Sequence, residues 1–180
     1  MNPSLYQRAL GDDFSRLSPT LQALHSQTDT VWQGVADVQW GTPAWLRGLL
    51  HIAVLLRRLP AEGSALPCQI TLQRSGDGES WQRRFGRTPM VSKQFYRRAA
   101  LWEAMGPLRL QLNNRVENGE LAQHSAAVSL FGIALPLHVT ATESSTQDQM
   151  QFDVNIGFKN GQGILRYRGQ LSPTELEKQA

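Results

Sequence analysis

The stretch Gly78-Glu79-Ser80-Trp81-Gln82-Arg83-Arg84-Phe85-Gly86 alternates large and charged side chains between two glycines. Strand side chains point alternately to opposite faces, so Glu79, Trp81, Arg83 and Phe85 would share one face of a β-strand. The two large aromatic side chains predict that this face is buried. An unpaired buried charge costs on the order of several kcal/mol, and we therefore expect the two charged members to pair or to meet a ligand.

Strand-like segments follow one another before and after this stretch. Gly, Asn and Asp tolerate positive φ and separate the segments at residues 75–78, 118–119 and 160–161, which is typical of hairpins. Consecutive hairpins predict an antiparallel sheet, which protects its edges by curling or closing. We expect eight to nine strands, at residues 31–40, 67–74, 79–86, 90–103, 107–116, 120–131, 133–143, 150–158 and 163–171.

Two regions of the chain predict helices. Residues 1–30 carry leucine and aromatic residues at three- and four-residue spacings, which predict short N-terminal helices. A further helix over 43–59 is apolar nearly all round and must be covered on most sides. The sequence thus predicts an α+β fold, a strongly curved antiparallel sheet or partly closed β-barrel wrapped around this buried apolar helix. We expect a single domain over residues 1–180, with a polar tail at 172–180.

Composition and charge exclude several classes of function. The 180 residues carry 18 Lys and Arg against 15 Asp and Glu, and the cations are spread evenly over both halves of the chain. Nucleic-acid binding needs clustered cations and is disfavoured. A single cysteine excludes an internal disulfide, and the four histidines lack the spacing of a metal site. No signal sequence or membrane span is recognisable, so we expect a cytoplasmic protein without a metal or other cofactor.

A second strand also carries a charge in phase with its apolar face. In residues 131–143 the alternation that includes Val139 and Ala141 continues to Glu143. Ligand pockets are mostly apolar with a few placed polar groups, which suits a concave space between the sheet and the helix. His51, within the apolar helix, is either a core histidine bonded to a carbonyl or a polar group that faces this space. The residues expected to line it are Trp81, Arg83, Phe85, Glu143, Tyr167 and His51.

Two interpretations of Arg83 are open. In the structural one, its guanidinium forms an ion pair with Glu143, Glu79 or Glu103 that anchors the sheet. In the functional one, it is the polar anchor for the carboxylate or carbonyl group of a ligand. His25 ends a helix, where a positive charge suits the helix dipole, and capping is its expected role.

Seven short motifs follow one another along the chain: LYxxxLGxxFxxL…LxxLH (Leu5 to His25), GxAxVxxG (Gly34 to Gly41), GESWQRRFG, GP (Gly106-Pro107), LFGIALPL (Leu130 to Leu137), FDV (Phe152 to Val154) and YRGQL (Tyr167 to Leu171). Together they span almost the whole chain, and their order resembles an uncharacterised bacterial domain family. Members of that family occur alone or fused behind NAD(P)-binding domains similar to saccharopine dehydrogenase or short-chain dehydrogenases. The resemblance transfers no catalytic residue and implies an NAD(P)-dependent oxidoreductase as a partner.

Three functions follow from these patterns. The first is the binding of a small apolar or amphipathic ligand between the sheet and the helix. The second is a non-catalytic interaction domain that docks on an oxidoreductase. The third is an enzyme that uses Glu143, Glu103 or His25 as an acid or base. Because no catalytic motif is recognisable, we expect ligand binding.

Overall fold

Three α-helices and eleven β-strands make up the described part of the chain. The computed structural model describes residues 3–26, 30–41, 44–56 and 59–174, without the side chains of residues 44, 45, 49 and 75. Residues 43, 57 and 58 of the predicted helix over 43–59, and residues 175–180 of the predicted tail, lie outside the described residues. The elements are α1 Leu5–Leu10, a 3-10 helix Gly11–Arg16, α2 Pro19–Ser26, β1 Thr30–Trp40, α3 Ala44–Leu55, β2 Gly63–Ser75, β3 Gly78–Phe85, β4 Thr88–Arg97, β5 Ala100–Met105, β6 Leu108–Glu117, β7 Glu120–Leu130, β8 Ile133–Ala134, β9 Leu137–Thr146, β10 Gln149–Phe158 and β11 Gly163–Thr174.

Ten of the eleven described strands close into an antiparallel barrel. The order around the barrel is β1-β2-β3-β4-β5-β6-β7-β9-β10-β11, and β11 pairs with β1. Strands β6 and β7 complete the ring, with Val116 opposite Leu121, while β8 forms a short hairpin on β7. Closure removes the exposed edges that would otherwise pair with other chains. The predicted curved antiparallel sheet is confirmed, with ten strands in the ring rather than eight or nine.

Strand β3 shows the period of two that its sequence predicts. Glu79, Trp81 and Phe85 are buried, whereas Gln82 and Arg84 are exposed. Because β3 runs from one end of the barrel to the other, its inward side chains also mark depth inside the barrel. Glu79 lies near the first end, and Phe85 lies near the second.

The N-terminal helices close one end of the barrel. Helix α1 packs against β4 and β6, and α2 packs against β9 and β10. A capping box begins α1, since the Ser4 hydroxyl accepts from the Gln7 N–H and the Gln7 side chain accepts from the Ser4 N–H. The Ser18 N–H donates to the Gly119 carbonyl at 2.9 Å, which ties α2 to the β6–β7 hairpin. We call this the closed end, and the opposite one the open end.

Helix α3 lies at the open end, where it connects β1 to β2. Leu46 and Leu50 on one face are buried, but Ile52 and Leu55 on the other face are exposed. The helix is therefore not inside the barrel, which corrects the predicted arrangement. The side chains of the ten strands nearly fill the interior themselves. Among the described side chains between β1 and β2, only Leu59, after the helix, borders the central cavity.

Candidate functional site

A central cavity of about 80 Å³ lies inside the barrel. Side chains from most of the strands border it, so the barrel wall rather than any single loop defines its shape. Five of the six predicted site residues are among them: Trp81, Arg83, Phe85, Glu143 and Tyr167. The predicted convergence of these five side chains on one space is thus present in the structure.

His51 does not border the cavity. It is exposed on α3, and its ring makes an edge-to-face contact with the Trp40 ring at a centroid distance of 4.8 Å. The Arg47 guanidinium lies over the same indole and pairs with Glu62, so these contacts hold α3 against the end of β1. The structure therefore gives His51 a place in the attachment of the helix, outside the cavity.

Arg83 forms its ion pair with Glu103, one of the three carboxylates that the sequence left open. Its Nη1 lies 3.0 Å from Glu103 Oε1 and 2.7 Å from the Ser92 hydroxyl. Its guanidinium carbon lies 4.9 Å from the centre of the Trp81 ring, a cation–π distance. The side chains of the pair are only 11% and 13% exposed. Burial is the largest single influence and lowers the pKa of Arg83, but the attraction of Glu103 and its hydrogen bond, together with Tyr167 and Tyr6, outweigh burial, so the pKa is raised and the guanidinium stays charged.

Glu143 pairs with His25 at the closed end. His25 Nε2 lies 2.6 Å from Glu143 Oε2, and the His25 ring stacks on the Tyr6 ring at 3.8 Å. His25 is 1% exposed and its Nδ1 has no partner among the described residues. The expected role of His25 as a helix cap is therefore wrong, because the last turn of α2 turns this ring into the barrel.

A chain of polar side chains continues from Tyr6 across the closed end. The Tyr6 hydroxyl donates to Gln94 Oε1 at 3.0 Å and accepts from Gln123 Nε2 at 3.4 Å. Gln123 also donates to Asn114 Oδ1 at 2.8 Å. Burial raises the pKa of Tyr6 well above its ordinary value, so its hydroxyl keeps its proton and remains a donor. No pattern in the sequence indicates this network, because its members lie on four separate elements.

Glu79 is the inward residue of β3 that lies nearest the closed end, and one of its carboxylate oxygens has no partner among the described residues. Its Oε2 is buried without a hydrogen-bond partner among the described residues, as is the Nε1 of Trp81. Burial raises the pKa of the Glu79 carboxyl above its ordinary value, although His25 and the Leu5 N–H act in the opposite direction. The native protein therefore holds a proton on this carboxyl at a pH where the unfolded chain has released it.

Replacing Glu79 with glutamine is expected to flatten the dependence of stability on pH. A raised native pKa contributes stability below the usual glutamate pKa of about 4.3, and this contribution is lost as pH rises to the native value. Urea unfolding across this range should show E79Q gaining on the wild type as pH rises. The exposed Glu120 provides the control, and E120Q should keep the wild-type profile. Parallel profiles of wild type and E79Q would contradict the interpretation.

Two further groups in or near the cavity are unsuited to nucleophilic chemistry. Burial raises the pKa of the Cys68 thiol to about 12, and burial also raises the pKa of Tyr167 to about 12. Both groups therefore stay protonated near neutral pH, and Cys68 packs as a small apolar side chain. The described residues also contain no cluster of three His, Cys, Asp or Glu side chains placed to hold a metal ion. None of the described helices is long and apolar enough to cross a membrane.

The fold and the site define the class of protein: a closed antiparallel barrel with one helix-capped end and a small interior cavity of mixed polarity. The chain belongs to a family described as a domain of unknown function, DUF4166, whose profile matches residues 17–171. The resemblance to an uncharacterised family is thereby confirmed, while the match does not show a fusion to dehydrogenase domains. No curated protein matches the chain.

The solved structures that resemble this chain are distant from it in sequence. A protein of unknown function from the DUF3598 family of Nostoc punctiforme is 11% identical, with a TM-score of 0.50, over 96% of this chain and 50% of that one. The chain thus spans half the length of that protein. A protein from M. tuberculosis is 13% identical, with a TM-score of 0.48, over 88% and 99% of the two chains. A protein named as a fatty acid transporter is 8% identical, with a TM-score of 0.43, over 83% and 97%. At such low identity the Nostoc match supports the barrel fold alone.

Proposed function

We propose that the barrel binds a small amphipathic molecule in its central cavity, with Arg83 as the polar anchor. The observation that carries the proposal is the hydrogen bonding of this guanidinium. Only Nη1 has acceptors among the described residues, namely Ser92 and Glu103. A guanidinium has five N–H donors, so the three on Nη2 and Nε are left for an acceptor inside the cavity.

The polarity of the cavity wall supports a defined orientation of the ligand. Toward the closed end the wall carries Gln94, Gln123 and Glu143, whereas side chains near the open end, such as Met90 and Leu110, are apolar. Arg83 lies between these two regions, because it stands between Trp81 and Phe85 on β3. An amphipathic molecule would therefore place its polar group at Arg83 and its apolar part toward the open end.

The charges in the cavity favour a neutral acceptor over a carboxylate. Glu103 already neutralises Arg83, and Glu143, which pairs with His25, adds a second carboxylate. A ligand carboxylate would meet repulsion at short range in a site of low dielectric constant. A carbonyl or hydroxyl oxygen accepts from the free guanidinium N–H groups without adding charge.

The volume limits the ligand to a small molecule or to the polar end of a longer one. A cavity needs a volume of roughly 10–15 Å³ to hold one water molecule. The central cavity of about 80 Å³ therefore holds roughly five to eight groups of that size. A chain longer than this would have to extend past Phe85 and leave through the open end.

Native mass spectrometry of the protein purified from its own organism tests the proposal. We expect a bound small molecule on the wild type, and its loss from A141L, because the added side chain fills the cavity without removing a hydrogen bond. Overpacking of this kind costs about 1–3 kcal/mol, which a folded barrel can tolerate. The exposed Ala127 is the matched control, and A127L should keep the ligand. A ligand-free wild type, or equal occupancy in both variants, would overturn the proposal.

Docking on an NAD(P)-dependent oxidoreductase is the alternative that the family resemblance implied. Exposed aromatic anchors would favour it, yet Trp32, Trp40 and Trp81 are buried, and the Trp102 indole donates to the Arg97 carbonyl. Trp45 lies among the residues whose side chains are not described. The tryptophans therefore give this alternative less support than the cavity gives ligand binding.

A further inference from the structure

Helix α3 has two apolar faces, and the barrel covers only one of them. Leu46 and Leu50 point to the barrel and are buried. On the opposite face Ile52, Leu55 and Leu56, at positions i, i+3 and i+4, are 54%, 81% and 62% exposed. A helix that is apolar on most sides is normally buried on most sides, and no described residue gives this outer face the cover that its composition requires.

A second apolar projection stands at the same end of the barrel. In the β7–β8 hairpin, Phe131 in the turn and Ile133 at the start of β8 are 79% and 71% exposed. The backbone of Phe131 has a φ of 51°, a left-handed conformation that bulky residues rarely adopt. Strain of this kind persists where the surrounding structure enforces it and is concentrated at functional sites. Here it displays a large aromatic ring to the outside.

The two projections lie on opposite sides of the open end. Helix α3 connects β1 to β2, whereas the turn after β7 leads to β9. Six strands of the ring separate the two connections in one direction and four in the other. In an antiparallel ring, both connections must lie at the same end. The outer face of α3 and the Phe131–Ile133 segment therefore flank the open end of the barrel, and we call them together the apolar rim.

The charges of the two ends of the barrel differ. The described helices, turns and strand ends of the closed end carry six cations and six carboxylates outside the barrel interior: Arg8, Arg16, Arg74, Arg97, Arg98 and Arg115 against Asp12, Asp13, Asp77, Glu117, Glu120 and Asp148. The corresponding parts of the open end carry five cations and one carboxylate: Arg47, Arg84, Arg87, Arg109 and Lys159 against Glu62. The excess positive charge of the described chain is thus concentrated around the apolar rim.

We propose that the open end docks on the surface of an anionic lipid membrane, with the apolar rim inserted between the headgroups and the surrounding cations at the phosphates. Apolar side chains within a ring of Lys and Arg are the combination that binds such interfaces. A neutral protein partner would cover the apolar rim but leave these cations unmatched. The docked orientation would place the open end of the barrel against the lipid, and an amphipathic ligand of the proposed function resides in that lipid.

Vesicle co-sedimentation of the full chain tests the docking surface. Vesicles of equal parts phosphatidylglycerol and phosphatidylcholine should bind the wild type, and pure phosphatidylcholine should bind it much less. Replacing both Leu55 and Phe131 with serine should lower the partition coefficient between vesicles and water by about 100-fold. Each of the two substitutions removes one large apolar side chain from the interface. Raising salt to about 0.5 M should also weaken binding, because it screens the cations.

Matched variants keep the result interpretable. Val91 is an exposed apolar residue on the barrel wall, and V91S should bind vesicles like the wild type. I52S/I133S provides a second pair of substitutions in the apolar rim, and circular dichroism verifies that every variant is folded. Absence of vesicle binding, equal binding to both vesicle types, or a wild-type dimer that L55S dissociates would overturn the proposal. The docking inference rests on the proposed function only for the purpose of docking. The two proposals can fail separately, because A141L should lose the ligand while it still binds vesicles.

Discussion

Replacing Arg83 with methionine is expected to lower the free energy of unfolding by about 3–5 kcal/mol. The substitution keeps most of the apolar stem but leaves Glu103 in the barrel interior without its cation. It also removes the donor to the Ser92 hydroxyl and the cation from the face of Trp81.

A double-mutant cycle separates the ion pair from the packing of the side chain. R83M/E103M removes both charges and should recover most of the stability that R83M loses, because no unpaired charge stays buried. The Arg166–Asp153 pair on the outer wall of the barrel is the matched control, with side chains 49% and 33% exposed. R166M should cost less than about 1 kcal/mol in urea unfolding. If R83M cost no more than R166M, the buried pair would not stabilise the barrel.

The same pair decides between the two interpretations that the sequence left open. The structure favours neither alone, because Nη1 of Arg83 is engaged by Glu103 while its other N–H groups are not. The structural interpretation therefore accounts for one side of the guanidinium, and the functional one for the other. If folded R83M/E103M lost the ligand, Arg83 would also have the functional role, as the polar anchor of the ligand.

The inward faces of the strands could be predicted because a strand has one simple period. Alternation placed Trp81, Arg83 and Phe85 on the buried face of β3 and extended the buried phase of β9 to Glu143. The partner of Arg83 could not be chosen, because that choice depends on which strands become neighbours around the ring. The same limit hid His25, whose contact with Glu143 joins residues 118 positions apart.

Turns without glycine were the main reason for an incorrect strand count. The sequence predicted one strand over residues 90–103, but β4 ends at Arg97 and β5 begins at Ala100. The turn between them places Arg98 and Ala99 at φ values of 54° and 57°, in the left-handed region. Sequence rules for hairpins depend on Gly, Asn and Asp, so they miss a turn that the barrel imposes on other residues.

The single-domain organisation and the cytoplasmic location stay predictions.

Helix α3 shows how composition can predict burial without predicting what covers the surface. Its apolar residues on all sides indicated a helix enclosed by the sheet, and one face is indeed buried against the barrel. The other face is not covered by any described part of the chain. A sequence pattern reports that a surface avoids water, but the identity of the cover depends on the rest of the fold and on what lies outside it.

Replacing Gly34 with alanine is expected to destabilise the barrel by more than about 4 kcal/mol, beyond the usual range for a single substitution. A Cβ at this inward position of β1 would lie 1.9 Å from the Gln170 carbonyl oxygen and 3.1 Å from the Leu171 Cα. Both are backbone atoms of the paired strand β11, so no side chain can rotate to relieve the overlap. A glycine here lets β1 and β11 coil tightly where the barrel closes.

Gly48 provides the matched control, because a Cβ there would meet nothing within 4 Å. Alanine is favoured over glycine inside a helix by about 0.8–1 kcal/mol, so G48A should stabilise the protein slightly. Thermal unfolding of the two variants should therefore move in opposite directions, with G34A melting far below the wild type or failing to give folded protein. A G34A protein that melts within a few degrees of the wild type would show that β1 and β11 can separate locally at little cost. In that case the close approach of these two strands would not be what fixes the curvature of the barrel.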